Sequence, residues 1–135
     1  MKRRGVKPET VRLELSDGDW VDIKRVLTVG EESDIAFKAM KTIRTADSAA
    51  EIDGALMRFL MAATYVQGWS LLDYEGQPIK WPVSKPLDDR VAVLRALDRE
   101  SMEELEAAIA AHRESLEKNA PSGETAPAAA SPSAV

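Results

Sequence analysis

The chain has 135 residues and a net charge of −5, and 44% of its residues are hydrophobic while 30% are charged. This length and composition predict one globular domain with a packed core. No apolar run approaches the roughly 18–20 residues that span a bilayer, and no apolar stretch follows the charged start as in a signal peptide. The absence of cysteine excludes disulfides and the usual zinc sites. We therefore expect a cytoplasmic protein without a membrane partner.

Positive charge is concentrated at the start of the chain. Lys2, Arg3, Arg4 and Lys7 contribute +4, so the remaining residues carry −9. A domain of that charge is repelled by the phosphate backbone of nucleic acids, which is normally bound by many Lys and Arg side chains. The pattern therefore argues against a nucleic-acid partner, and it predicts a flexible basic arm over residues 1–8.

Apolar and polar residues alternate over residues 11–15 and again over residues 20–24. This period of two is typical of half-buried strands. The turn sequence Asp17-Gly18 lies between the two segments and supplies the positive φ angles of a tight turn. The sequence thus predicts a β-hairpin over residues 11–25.

Two sequences of the capping-box type predict helix starts. Thr28 with Glu31 predicts a helix over about 31–44, because each side chain can satisfy a free backbone N–H of the first turn. Ser48 with Glu51 predicts a second start, after a break at 45–48. The second helix is expected to run to Gln67, since apolar residues follow the helical period there: Ile52, Leu56, Phe59, Leu60, Ala63 and Val66.

The segment from Trp69 to Trp81 predicts a second short hairpin, with its turn at residues 74–77. A third helix is expected to start near Leu87. A further capping box, Ser101 with Glu104, predicts a last helix that runs to Lys118.

The predicted fold class is α+β and mainly helical, with about four helices and two short antiparallel β-hairpins. A single globular domain is expected over residues 9–118. Residues 119–135 are Ala-, Pro- and Ser-rich and carry too little apolar surface to offset their ordering entropy, so this tail is predicted to be disordered.

No set of residues has the spacing that catalysis requires, so no enzymatic activity and no cofactor are predicted. His112 is the only histidine and lies on the apolar stripe of the last helix, where a helix-interface role is expected. The acidic runs at 17–19 and 31–34 lack the further ligands of a calcium loop. An unrecognised carboxylate site with raised pKa values remains an open alternative.

Four aromatic residues are candidates for partner binding: Trp20, Trp69, Tyr74 and Trp81. Trp and Tyr are enriched at the energetic centres of protein interfaces. For Trp69 and Trp81 the alternative is packing on the helix at 52–67. The two roles are compatible, because one ring face can pack while the other binds.

Three short sequences carry a resemblance to a known family: Gly18-Asp19-Trp20-Val21, Leu27-Thr28-Val29-Gly30-Glu31-Glu32, and the Trp-Ser-x-x-Asp-x-x-Gly-x-Pro run at residues 69–78. Together with the order of predicted elements over residues 11–118, they resemble the tail assembly chaperones of long-tailed, siphovirus-like actinobacteriophages.

The resemblance implies a non-enzymatic protein of the host cell cytoplasm. Such a protein binds the long helical tape-measure protein, keeps it soluble and promotes assembly of tail-tube subunits. It also implies a longer frameshifted form in some members, and self-association is possible. The alternative is a structural virion component, such as a tail, neck or head-tail connector protein, that is retained in the particle.

Overall fold

The computed structural model describes residues 1–41 and 51–118. Within these ranges it contains four α-helices, a three-stranded antiparallel sheet and a separate two-stranded ladder, which confirms the α+β, mainly helical class. The elements are, in chain order, β1 (Thr10–Glu14), β2 (Trp20–Lys24), α1 (Val29–Ala39), β3 (Met40–Lys41), β4 (Glu51–Ile52), α2 (Gly54–Tyr65), β5 (Val66–Trp69), α3 (Leu87–Arg95) and α4 (Arg99–Lys118).

The first predicted hairpin is confirmed. Strands β1 and β2 pair antiparallel, and Leu13 lies opposite Val21. The turn contains Asp17 at φ 57° and Gly18 at φ 78°, so the Asp-Gly sequence supplies two consecutive residues in the left-handed region. Strand β5 pairs with the other edge of β2 and completes the sheet in the order β1-β2-β5.

Helix α1 starts where the sequence predicts. The Thr28 hydroxyl accepts a hydrogen bond from the Glu31 backbone N–H, and the Glu31 carboxylate accepts one from the Thr28 backbone N–H. The helix ends at Ala39, however, and not at residue 44. Met40 turns to an extended backbone (φ −72°, ψ 133°) and pairs with Ile52 in the β3–β4 ladder, so tertiary pairing overrides helix propensity here.

The predicted limits of the second helix are both corrected. Glu51 belongs to β4, and the N-cap of α2 is Asp53, whose carboxylate accepts from the backbone N–H of Leu56 at 3.1 Å. At the other end the helix stops at Tyr65, because Val66 is extended and pairs with Ile23 of β2. The predicted break at 45–48 and the predicted Ser48 cap lie outside the described residues, as does the predicted tail at 119–135.

The second predicted hairpin forms only in part. Trp69 is the last residue of β5, and the following segment contains a single β-bridge, between Leu72 and Pro78. Proline has no N–H to donate, which limits ladder formation at that position. We refer to residues 71–80 as the 71–80 loop.

The start of α3 at Leu87 agrees with the prediction, but α4 is capped differently from the predicted capping box. The backbone N–H and the hydroxyl of Ser101 both donate to the carboxylate of Asp98. The carboxylate of Glu104 accepts instead from the backbone N–H and the hydroxyl of Ser16, which precedes it by 88 residues.

The buried apolar side chains of the described residues form one cluster between the sheet and helices α1 to α4. Fully buried members come from every layer and include Val21, Ile23, Ile35, Leu60, Val66, Leu94 and Leu105. Residues 1–8 form neither helix nor strand, and all of them are exposed. No helix in the described part of the chain is long and apolar enough to cross a membrane.

The core contribution of Leu60 can be compared with that of a surface leucine. Leu60 is 1% exposed and Leu72 is 58% exposed. We expect Leu60→Ala to lower the free energy of unfolding by about 2–5 kcal/mol, because it removes buried methyl groups and leaves a cavity. The matched control Leu72→Ala is expected to change it by no more than about 0.5 kcal/mol. Urea unfolding followed by circular dichroism measures both, and equal losses would contradict the packing described here.

Candidate partner-binding site

A groove of about 1010 Å³ separates the 71–80 loop from helix α3 and the residues that follow it. Its walls are mainly apolar and include Leu71, Leu72, Ile79, Val93, Ala96 and Leu97. We call it the loop–α3 groove. Its volume exceeds those of three other grooves on the described part of the chain, which are about 280, 360 and 410 Å³, and it lies open to solvent.

The wall formed by the 71–80 loop is held in shape by hydrogen bonds. The carboxylate of Asp73 accepts from the backbone N–H groups of Glu75 and Gln77, both at 2.9 Å. The backbone N–H of Ile79 donates to the carbonyl of Leu71 at 3.0 Å. A preformed wall of this kind lowers the entropic cost of binding, since the loop does not have to be ordered by the partner.

Trp69 and Trp81, two of the four predicted aromatic residues, flank the 71–80 loop and anchor it to the rest of the fold. The ring centroids of Trp69 and Trp81 are 4.7 Å apart at an interplanar angle of 59°. The Trp69 indole N–H donates to the carbonyl of Ile79 at 2.8 Å, and the Trp81 indole N–H donates to that of Val66 at 2.9 Å. Trp81 is 8% exposed, so its packing role is confirmed and its ring is covered; Trp69 is half-buried.

Tyr74 is the one predicted aromatic residue that lines the groove, and it is 96% exposed at the tip of the loop. Leu72 lines the same groove and was not among the predicted site residues. A signal for it exists in the sequence. Leu71 and Leu72 are adjacent in an extended segment, where successive side chains point to opposite sides, so one of them must face away from the core.

Trp20 does not line the groove, although its neighbour Asp19 does. The Arg12 guanidinium carbon is 3.6 Å from the centre of the Trp20 ring, and the same guanidinium donates two hydrogen bonds to Asp22. This hydrogen bonding holds the pKa of Asp22 below its ordinary value. The Trp20 ring is therefore half-covered by an intramolecular cation–π contact, and the four predicted residues do not converge on one site.

The rim of the groove carries more negative than positive charge. Asp19, Asp73 and Asp98 line it together with a single cation, Lys80. Hydrogen bonds from Ser101 lower the pKa of Asp98, which stabilises its ionised form. Among the ion pairs formed by the described residues, none involves these three carboxylates. The rim thus presents carboxylates that are hydrogen-bonded but not neutralised.

A second apolar surface lies on the outer side of helix α1. Val29 is 81% exposed, Phe37 is 70% exposed, and Met40 just beyond the helix is also exposed. We call these three residues the outer α1 face. Val29 and Phe37 lie about two turns apart on α1, whose buried residues are Ile35 and Ala39, and Met40 follows the end of the helix.

His112 has the predicted helix-interface role, because its Nε2 forms a hydrogen bond of 2.9 Å with the carbonyl of Arg25. Across residues 1–41 and 51–118, no group of three or more His, Asp or Glu side chains is arranged to hold a metal ion. Burial raises the pKa of Glu31, but hydrogen bonds from Lys24 and Thr28 outweigh that effect and lower it. The pKa values of Asp22, Glu31 and Asp98 are all shifted downward, which is opposite to the direction that the alternative carboxylate site requires.

Comparison with known proteins adds no relative, since no family model, curated protein or solved structure matches the chain.

The indole N–H of Trp81 is expected to matter for stability. Trp81→Phe leaves the Val66 carbonyl without its donor and leaves space beside Trp69, so we expect a loss of about 1–3 kcal/mol in the free energy of unfolding. Trp20→Phe is the matched control and is expected to cost about 0.5 kcal/mol or less, since that ring is half-exposed. Guanidinium unfolding measures the free energy of unfolding of both variants. A smaller loss for Trp81→Phe than for Trp20→Phe contradicts a stabilising role of the buried Trp81 indole.

Asp98 predicts a pH dependence of stability. Its pKa is lowered in the folded protein, so ionised Asp98 stabilises the fold above the ordinary aspartate pKa of about 3.9. That contribution is lost as the pH falls through the folded-state pKa. We expect the difference in unfolding midpoint between the wild-type protein and Asp98→Asn to be constant above about pH 5 and to shrink below about pH 4. Thermal unfolding across this range measures it, and a difference that grows on acidification contradicts the assignment.

Proposed function

We propose that this protein is a phage tail assembly chaperone that binds an apolar stripe of the helical tape-measure protein in the loop–α3 groove. The observation that carries the proposal is the groove itself, which is preformed, apolar and open. The sequence run at residues 69–78, which carries the resemblance to this family, includes part of the groove wall. Helix-in-groove binding is a common mode of recognition between an amphipathic helix and such a surface.

The size of the groove is compatible with a helical partner. An α-helix with its side chains is about 10–12 Å across and rises 5.4 Å per turn, so two turns occupy roughly 850–1200 Å³. The groove offers about 1010 Å³. The groove volume is therefore of the same order as that of about two turns of a partner helix, and Leu72 and Tyr74 are exposed for contact with its side chains.

A contact of this size is weak by itself. Full burial of a leucine side chain contributes about 1.5–3 kcal/mol, and Leu72 is already partly covered, so it contributes less. Association costs an estimated 4–15 kcal/mol in lost translational and rotational freedom. Stable coating of a tape-measure protein therefore requires many copies bound along it. Binding strength then comes from the number of simultaneous contacts and not from a high affinity at each groove. Weak, repeated contacts also allow release when tail-tube subunits arrive.

A structural virion component remains the second candidate, and the outer α1 face favours it. Val29, Phe37 and Met40 form apolar surface outside the groove, as a subunit contact within a particle requires. The two functions differ in one observable. A chaperone is absent from purified particles, whereas a structural component is present in them at fixed stoichiometry, as quantitative mass spectrometry of the particles measures.

Affinity capture tests the chaperone function. The tagged protein is used to capture partners from its native lysate at low and high salt, followed by mass spectrometry. We expect recovery of one very long, helix-rich protein that persists at high salt, because an apolar contact is not screened. Leu72→Asp is expected to reduce its recovery at least about tenfold, since an added charge in the groove is desolvated on binding.

The control for this capture is Val29→Asp, which adds the same charge on the outer α1 face. It is expected to leave recovery of the long protein within about twofold, a change of less than 0.5 kcal/mol. Equal loss in both variants, or recovery only of shell and tube subunits, contradicts binding in the groove and favours the structural component.

A further inference from the structure

We propose that the loop–α3 groove of one copy binds the basic arm, residues 1–8, of a second copy of the same chain. The proposal goes beyond the function above, because it names an occupant of the groove that the chain itself supplies. It is carried by the charges of the two segments, their positions on the fold and the exposure of both.

The charges of the two segments are complementary. The arm carries four cations in eight residues, and the described ion pairs involve none of them. The groove rim carries Asp19, Asp73 and Asp98 against the single cation Lys80. All three carboxylates already accept hydrogen bonds that fix their positions, so they are held in place for a partner cation.

The arm also has apolar side chains to place in the groove. Met1 is fully exposed and Val6 is partly exposed, and they lie on either side of the cluster Lys2-Arg3-Arg4. An arm that combines cations with apolar side chains matches a groove with apolar walls and an acidic rim. A purely polar arm would leave the walls exposed, and a purely apolar helix would leave the carboxylates without cations.

The arm starts at the end of the β1–β2 hairpin that is opposite to Asp19 in the groove of its own copy. The arm leaves the sheet beside Arg25, where the Arg25 backbone N–H donates to the carbonyl of Glu9. Asp19 lies at the opposite end of the β1–β2 hairpin, roughly 20 Å away along strands that rise about 3.3 Å per residue. Eight extended residues span at most about 29 Å. Doubling back therefore brings only the first few residues to the rim and leaves Lys7 far from it.

Binding in trans has a structural consequence. The arm of one copy and the groove of the next are different surfaces, so the contact is heterologous and leaves one arm and one groove open at the ends of each assembly. Such a contact produces concentration-dependent chains of copies. If the proposed function holds, a partner helix displaces the arm from the groove, and the arm covers the apolar walls until that happens.

Sedimentation of the purified full-length protein, with no partner present, tests the proposal. We expect self-association at about 50 mM salt that weakens at least tenfold at about 300 mM, because the screening length shortens over that range. The arm variant Arg3→Glu/Arg4→Glu is expected to weaken it at least tenfold. The control variant Lys38→Glu/Lys85→Glu has the same net charge as the arm variant. Its self-association constant is expected to stay within about twofold of the wild-type value.

A mixing experiment separates the arm–groove contact from other modes of self-association. The groove variant Asp19→Asn/Asp73→Asn/Asp98→Asn keeps one side-chain acceptor oxygen at each of the three positions and removes their charge. This variant and the arm variant are each expected to be monomeric. Their mixture is expected to form a dimer and nothing larger, because only one intact arm and one intact groove remain. No dimer in the mixture, or a wild-type protein that is monomeric at low salt, overturns the proposal.

A second measurement covers the case in which a variant fails to fold. The isotopically labelled full-length protein is titrated with a synthetic peptide of residues 1–8. We expect chemical-shift changes at the backbone amides of Leu72, Tyr74 and Ala96, and no comparable changes on the outer α1 face. Shifts at the outer α1 face, or none at the groove, overturn the proposal. These outcomes are independent of whether a tape-measure protein is the partner.

Discussion

The hydrogen bond from the indole N–H of Trp81 to the carbonyl of Val66 joins the parts of this molecule that create the groove. Val66 is the residue at which α2 ends and β5 begins, and it pairs with Ile23 at the centre of the sheet. Trp81 in turn closes the far end of the segment that carries the 71–80 loop. The loop is therefore tied to a helix, a sheet and the core through one buried side chain.

The position of the 71–80 loop relative to α3 determines whether the groove exists. Trp69 and Trp81 pack against each other, and the Trp69 indole N–H donates to the carbonyl of Ile79 in the loop. The groove lies between this loop and α3. Under the proposed function, the aromatic pair acts on binding indirectly, through the position of Leu72 and Tyr74, which line the groove.

The sequence predicted correctly those helix ends that are set by hydrogen bonds between residues close in sequence. It failed at helix ends that are set by contacts with residues distant in sequence. The Thr28–Glu31 capping box forms as predicted, since both hydrogen bonds lie within one turn. The same pattern at residues 101–104 does not form, because Glu104 is taken by Ser16 and Asp98 supplies the cap instead. The early ends of α1 and α2 have the same cause, which is strand pairing with distant residues.

The candidate site was predictable in composition but not in arrangement. Aromatic enrichment predicted a site in the segment 69–81, and Tyr74 does line the groove. The burial of Trp81, however, depends on the end of α2 at Val66, whose carbonyl accepts the hydrogen bond from the Trp81 indole. No periodicity in the sequence determines that point. The adjacent leucines Leu71 and Leu72 indicate that one of them is exposed, but a lone exposed leucine is common on protein surfaces, and the position of Leu72 beside α3 depends on the fold.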